Sequence, residues 1–577
     1  MAVTFTLDLR ALLAAPAAMA FTESASVATD DGSHEPIELL HALRSQANKI
    51  TVFSQVGEIA LPASRRVFAF LERVVVPVDA PLGGVVHPKV WVLRYEADGE
   101  PTDGRPRARR LRVLIASRNL TFDASWDTVV RLDEAADAAG ALLRPVGELF
   151  KGLIGAAVGT VSPHHRDRVD SLAAALGTAR FALPAGVEDL QTHVLGLSGT
   201  PSPLPATTDR SLILSPFVSD DFFTSVHPVP VDELVSRPES LDLLKPGTLA
   251  RVEGIYAFDD GSTPDVGTEQ EGSSSDDPGR PLVGLHAKAF AFESKGRARL
   301  FLGSANATGA AFTSNVEVLV ELAGPIAVLG IDRLCAGTND ELGLRALFQR
   351  YGGRGSGGDT DGEPSLGRAR RAIARLPFEG LVEESGSEWA VTYRSGQPMP
   401  SLDGMEIYCW PLASAGHRRR VVAGEPLQAR FETSLETISG FLAFQLGGDR
   451  GTRTRFVVPV PLLGVPDHRE RFILRALVGN AERFLRYLLA LLDEDSDRAD
   501  LCEAVESVIG DTATDGVAPV ELPVLEKLLR TMRRDPAKLI ALHPLVSDLA
   551  EDDALPPGFT ELWTMIYDVA IAGVVDR

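Results

Sequence analysis

The stretch Leu285–Gly309, "LHAKAFAFESKGRARLFLGSANATG", sets His286 and Lys288 two residues apart at the head of an alternating apolar run and closes on Ser304 and Asn306. Strand periodicity of two predicts that His286 and Lys288 share one face of a sheet. A single His-x-Lys arises easily by chance in a chain of 577 residues. A second copy does not. Val86–Leu132 reads "VHPKVWVLRY", a polar loop, then "LRVLIASRNL" and "SWDTVVRL". It repeats the order His87, Lys89, apolar strand, loop, apolar strand, Ser117, Asn119. Each copy continues to an acidic residue at a matching distance, Asp127 in the first and Glu317 in the second.

Working outward, the chain alternates strand-like and helix-like segments, which predicts an α/β fold of layered sheets. Strands are expected at "KITVFSQVGEIAL", "RVVVPV", "HPKVWVLRY" and "LRVLIASRNL", and again at "SLILSP", "RVEGIYAF", "LHAKAFAF" and "ARLFLGSAN". Helices are expected at Ile37–Ala47, over most of 134–186 with a break at "SPHH", and at "VDELVSR". The adjacent His164 and His165 read as a loop, not a metal site. "GGRGSGGDTDGEPS" reads as a linker, followed by a β-rich segment and then by strong 3.6-residue periodicity from Asp467 onward. The expected division is 1–190 and 191–350 for the two repeats, 351–378 for the linker, 379–465 for a small β-rich domain and 466–577 for a helical domain.

The net charge of −22 excludes a protein that holds nucleic acid by a global basic field, but leaves room for a local basic cleft. Three scattered cysteines give neither a disulfide framework nor zinc spacing, which fits a reducing compartment. The opening "MAVTFTLDLRALLAAPAAMAF" imitates a signal peptide, yet Asp8 precedes the apolar run and Pro16 interrupts it. No run is long enough to span a bilayer. The expectation is a cytoplasmic protein without a membrane partner.

The duplicated His-x-Lys and Ser-x-Asn pattern resembles the phospholipase D superfamily, over about Ile37 to Gly324. The resemblance implies two repeats about a pseudo-twofold axis that converge on one phosphodiester site, built here from His87, Lys89, Ser117, Asn119, His286, Lys288, Ser304 and Asn306. It implies a nucleophilic imidazole that forms a phosphohistidine, with His87 in that role and His286 as general acid. The lysines, asparagines and serine hydroxyls would stabilise the phosphoryl oxygens, and Asp127 and Glu317 would each fix a ring through its other nitrogen. No metal or other cofactor is called for.

Three positions depart from the family pattern. Arg94 and Glu293 stand where many members have Asp, and Ala116 stands where the motif has Gly. Tyrosyl-DNA phosphodiesterases share the first departure, which favours a nuclease-like branch over a phospholipid hydrolase or phosphatidyltransferase. A non-catalytic scaffold is the remaining alternative, disfavoured because both histidines are intact. Arg105, Arg107, Arg109 and Arg110 in "RPRARRLR", with Arg118 in "ASRN", are candidate phosphate-backbone contacts, with DNA the expected partner. Basic clusters at 367–375 and 417–420 are weaker candidates. By analogy with bacterial nucleases carrying extra C-terminal domains, the resemblance suggests an anti-phage or DNA-processing setting beside a helicase or ATPase.

Overall fold

The computed structural model describes residues 1–24, 47–62, 66–96, 109–135, 140–197, 201–258, 283–338, 341–357, 365–386, 388–402, 405–447, 453–470, 472–473, 524–534, 539–540, 543, 546, 555 and 558–575. The expected helix Ile37–Ala47 lies outside these, except Ala47 in a short 3-10 turn.

The two His-x-Lys segments lead into strands of two separate large sheets. The first uses β1 (Ala2–Thr4), β2 (Val52–Gln55), β3 (Val75–Val78), β4 (Val90–Glu96), β5 (Arg109–Ala116) and β7 (Val129–Asp133), with the short β6 (Ala124–Trp126) standing off it. After a small pair, β8 (Ala141–Leu142) and β9 (Arg180–Phe181), the second uses β10 (Asp189–Leu195), β11 (Arg210–Leu214), β12 (Val231–Ser236), β13 (Val252–Phe258), β15 (Ala289–Ser294), β16 (Arg297–Gly303) and β17 (Glu317–Pro325). β14 (Val283–Leu285) pairs with β6 instead. The first sheet runs β3-β2-β1-β4-β5-β7 and the second contains β13-β12-β11-β15-β16-β17. In both, the first three strands are parallel to one another and the remaining pairings are antiparallel. The fold is mixed α/β; these six strands share one order and one pattern of directions, and the second sheet adds β10 beside β17 and a further strand beside β13.

The match begins earlier than Ile37. Ala2 and Val3, both buried, form a central strand of the first sheet, and the helix Leu9–Ser24 follows. "VDELVSR" is also not a helix. It forms β12, a parallel strand between β11 and β13 whose Val231, Leu234 and Val235 are all buried. A strand covered on both faces loses the alternation that would identify it, so its apolar spacing imitates a helix.

Helices Arg144–Gly155 and Pro163–Thr178 pack against each other between the sheets' strands in sequence. The helices separate at the expected break, and Ser162 caps the second by accepting from His165 N, so His164 and His165 stand in a first helical turn and not in a loop. His165 Nδ1 meets Thr51 Oγ1 at 2.8 Å and His164 Nε2 meets the Asn48 carbonyl at 2.9 Å.

Two four-stranded antiparallel-rich sheets occupy 378–463. The expected linker contains a helix, Ser365–Ala374, whose Leu366, Ala369, Ile373 and Ala374 are buried in that unit's core. Buried Arg370 reaches Glu58 at 2.7 Å and Thr454 at 3.1 Å, while Arg371 donates to the Gly84 carbonyl. The 367–375 cluster thus ties the β-rich unit to the first sheet. Arg370 and Arg371 are committed to these contacts, and Arg375 pairs with Asp79 at 2.5 Å. In the 417–420 cluster, Arg418 lies over Trp410 and Arg420 pairs with Glu406. The described C-terminal helices, Val524–Arg534 and Phe559–Val575, bury Leu528, Trp563, Ile566 and Ala570 in one core with Leu9, Leu12, Val52 and Phe68. The periodic segment 474–500 lies outside the described residues.

Candidate active site

The two His-x-Lys motifs lie just ahead of strands, not inside them. His87 falls between Val86 and β4, and His286–Lys288 links β14 to β15. Their backbone groups pair across the two halves. His87 N donates to the Val316 carbonyl, and Val316 N donates to the Val85 carbonyl. His286 N and Ala287 N both donate to the Trp126 carbonyl, at 2.9 and 2.7 Å. Val316 and Trp126 are the residues just before the two carboxylates. Each motif is therefore seated on the carboxylate-bearing segment of the other half. Gly84 permits this approach, because a Cβ there would lie 2.4 Å from the Ser314 carbonyl oxygen.

The side chains follow the same crossing. Glu317 contacts His87 Nδ1 at 2.9 and 3.0 Å, and Asp127 contacts His286 Nδ1 at 2.8 Å. Sequence order alone left the partner of each ring open. With Nδ1–H donated to a carboxylate, the Nε2 atom carries the lone pair. Among the described residues neither Nε2 has a hydrogen-bond partner.

The serines take a different place from the one expected. Ser117 Oγ donates to Asp127 at 2.8 Å and accepts from Thr128 N at 2.8 Å. Ser304 Oγ donates to Glu317 and accepts from Val318 N at 3.0 Å. Both hydroxyls are fully buried and committed to the carboxylates, so they hold the groups that hold the rings. Gly303 precedes Ser304 at φ +155°, where a Cβ would meet the Val318 carbonyl oxygen at 2.1 Å. Ala116 needs no such freedom, because β5 continues in regular register to Val129.

Lys89 and Lys288 are buried, and each Nζ donates to the carbonyl of its own motif's histidine at 2.6 Å. Burial pushes Lys288 down to about 7 and Lys89 well below the usual lysine range, with Lys288 itself lowering Lys89 further. Burial also pushes His87 down to about 4, against the opposing pull of Glu317. His286 is lowered well below the usual imidazole range by burial and by Lys288. Burial would raise Asp127, but hydrogen bonds from His286, Ser125 and Ser117 outweigh it and bring Asp127 to about 2. Glu317 is likewise lowered: burial opposes, and the field and hydrogen bond of His87 prevail. Each lysine is felt by the other half's histidine, so the groups form one electrostatic cluster. Burial thus disfavours the charged form of both imidazoles and both lysines, while both carboxylates are held ionised.

Asn119 lies beside the cluster and accepts from Thr6 N at 3.4 Å, while Asn306 Oδ1 is buried without a hydrogen-bond partner. Phe5 was not singled out in the sequence. Its ring meets His87 edge-on at 5.1 Å and stands 5.8 Å from Lys89 Nζ.

The arginines do not gather here. Arg118 donates to the Thr121 and Asp123 carbonyls and closes its own loop. Arg109 pairs with Glu96, and Arg110 donates to the Ala135 carbonyl, both at the far end of the eight-residue β5 from Ser117. At about 3.3 Å per residue that end is roughly 25 Å away. Arg105 and Arg107 lie outside the described residues. The positions that depart from the family pattern are structural: Arg94 pairs with Glu96, and Glu293 accepts from Ile331 N at 2.7 Å. Among the described residues no group of three or more His, Cys, Asp or Glu side chains could hold a metal ion, and no helix is long and apolar enough to cross a membrane.

No protein-family profile matches the chain, and no curated protein sequence matches it. Among solved structures, yeast tyrosyl-DNA phosphodiesterase overlaps 47% of this chain and 77% of its own, at 12% identity and a TM-score of 0.26. A histidine-to-alanine mutant of the same enzyme gives 47%, 76%, 13% and 0.26. Polyphosphate kinase from Porphyromonas gingivalis overlaps 60% of this chain and 46% of its own, at 15% identity and a TM-score of 0.29. Overlap this loose assigns neither an activity nor a role to any residue.

Proposed function

We propose that the chain is a phosphodiesterase of the phospholipase D type, acting on nucleic acid through a covalent phosphohistidine. One observation carries the reading. Two desolvated imidazoles, each oriented by a carboxylate from the opposite half, present unpartnered Nε2 atoms beside two buried lysines. In the first step His286 must enter protonated at Nε2, the proton taken up as substrate binds; His87 Nε2 attacks phosphorus, the P–O bond to the leaving oxygen breaks, and His286 gives that oxygen its Nε2 proton. In the second, water attacks phosphorus, His286 takes the water's proton, and the P–N bond breaks. An incoming phosphodiester puts negative charge beside His286 and the lysines, which raises their proton affinity when protons are needed. Lys89, Lys288, Asn119 and Asn306 then face the phosphoryl oxygens. Ser117 and Ser304 act through the carboxylates and are positioning residues. The proposal does not extend to an anti-phage setting or an ATPase partner, for which no residue of the site speaks.

The test is a substrate panel in EDTA: single- and double-stranded DNA, RNA and phosphatidyl lipid, with wild type, His87→Ala and His286→Ala. The expected result is strand cleavage by wild type alone, with all three proteins equally folded by circular dichroism. Unchanged cleavage by either variant would refute the shared site. Lipid turnover without strand cleavage would move the substrate to a phospholipid.

A further inference from the structure

Among the described residues, three of the phenylalanines and tryptophans are exposed: Phe122 at 40%, Trp126 at 41% and Phe217 at 44%. All three stand beside the site. Phe122 is three residues beyond Asn119, on the loop between β5 and β6. Trp126 immediately precedes Asp127, and its carbonyl receives the amides of His286 and Ala287. Phe217 lies two residues beyond Ser215, whose hydroxyl accepts from Ala307 N, the neighbour of Asn306, and donates to the Phe217 carbonyl at 2.7 Å. Large apolar side chains left in water at one place on a surface mark a contact site.

Two of these rings are accompanied by a guanidinium. Arg237 lies 5.3 Å from the Phe217 centroid and donates from Nε to the carbonyl of Leu285, just before His286. Arg10 lies 6.0 Å from the Phe122 centroid and is held by Asp8. A guanidinium over one face of a ring stiffens it and leaves the other face for a planar partner. Phe122 belongs to the loops around Asn119 and Thr6, on the His87 side. Trp126 and Phe217 belong to the His286 side. The aromatic surface therefore flanks the imidazole pair on both sides.

We propose that Phe122, on one side of the histidines, and Trp126 with Phe217, on the other, stack the bases of an unpaired polynucleotide strand running through the site, so that an internal phosphodiester of a single strand is presented for cleavage. Every base offers a flat face, which an unpaired strand exposes and a duplex hides within its own stack. The buried lysines select the phosphate, and the exposed rings select the unpaired state. This substrate class rests on the phosphodiesterase reading above.

The experiment measures fluorescence anisotropy of the full chain in EDTA with a labelled single-stranded 12-mer oligodeoxynucleotide, its duplex, and an abasic strand of equal length and charge. Stacking contributes about 1–3 kcal/mol per base, so the base-bearing strand is expected to bind at least roughly five-fold tighter than the abasic strand. Phe122→Ala and Phe217→Ala are each expected to remove most of that preference while affinity for the abasic strand changes less than about two-fold. Both rings are exposed, so both variants are expected to melt with wild type. Equal affinity for abasic and base-bearing strands, or duplex binding as tight as single-strand binding, would overturn the proposal. Cleavage is scored separately: base-dependent binding without cleavage refutes the phosphodiesterase reading and leaves the stacking surface standing, whereas cleavage without base dependence does the reverse.

Discussion

Lys288→Met is expected to make the protein more stable and inactive. Lys288 is fully buried, and its one hydrogen bond is to the His286 carbonyl. Burial brings it from 10.5 to about 7 despite the opposing pull of Asp127 and Glu317. At about 1.36 kcal/mol per unit, holding the ammonium in place costs about 5 kcal/mol wherever both states carry the proton. Methionine fills a similar volume without charge but leaves the His286 carbonyl without its donor, a loss of about 1–3 kcal/mol. The net gain is about 2–4 kcal/mol, or several degrees in melting temperature.

The pH dependence identifies the cause. Between 10.5 and about 7 the unfolded chain holds the lysine's proton and the folded chain does not, so wild type loses stability as pH falls through that window. Below about 7 both states hold it and the penalty is constant. The methionine variant lacks this term, so it starts at a disadvantage of about 1–3 kcal/mol at the alkaline end, from the lost hydrogen bond, crosses wild type as pH falls and levels off at its full advantage below neutrality. Scanning calorimetry of both proteins from pH 6 to pH 9.5 measures it. A variant that melts at or below wild type throughout, or an advantage independent of pH, would show that Lys288 is not a strained charge. Inorganic phosphate is expected to raise the melting point of wild type and not of the variant.

Glu317→Gln is expected to slow phosphohistidine formation by roughly 10–100-fold, through loss of a charge-assisted bond of about 1.5–3 kcal/mol to His87; rapid-quench trapping of the adduct measures it. Asp127→Asn acts on His286, so its loss is expected to fall on leaving-group protonation and to shrink for a substrate with a p-nitrophenolate leaving group, while Glu317→Gln keeps its full effect. Arg109→Ala, at the far end of β5, is expected to leave strand cleavage within two-fold of wild type in the same assay. Arg370→Ala removes one partner of a buried pair and is expected to cost about 3–5 kcal/mol, lowering the first unfolding transition.

The repeat was legible because both copies keep polar residues where a buried strand end would otherwise be apolar. The misreadings have separate physical causes. Ala2–Thr4 is too short to show a period, and β12 is covered on both faces, so neither announces itself as a strand. Ser365–Ala374 adjoins a glycine-rich stretch, and its arginines read as surface although Arg370 is buried against Glu58. Arg109 and Arg110 are near Ser117 in sequence only, because an extended strand converts eight residues into the length of the sheet.

The crossing of the carboxylates was the least legible feature, because it depends on how two halves dock and not on spacing within either. It also has the largest functional consequence. In the first half His87 has no carboxylate of its own, since Asp127 is engaged with His286, Ser117 and Ser125. In the second, Glu317 is engaged with His87 and Ser304. One half alone would carry an imidazole with no group to fix its tautomer and a buried carboxylate without the ring N–H that donates to it. The backbone pairs Val86–Val316 and Leu285–Trp126 set the same dependence one residue away. Orientation of both rings is therefore a property of the docked pair, and any change that loosens the docking is expected to disable both imidazoles together.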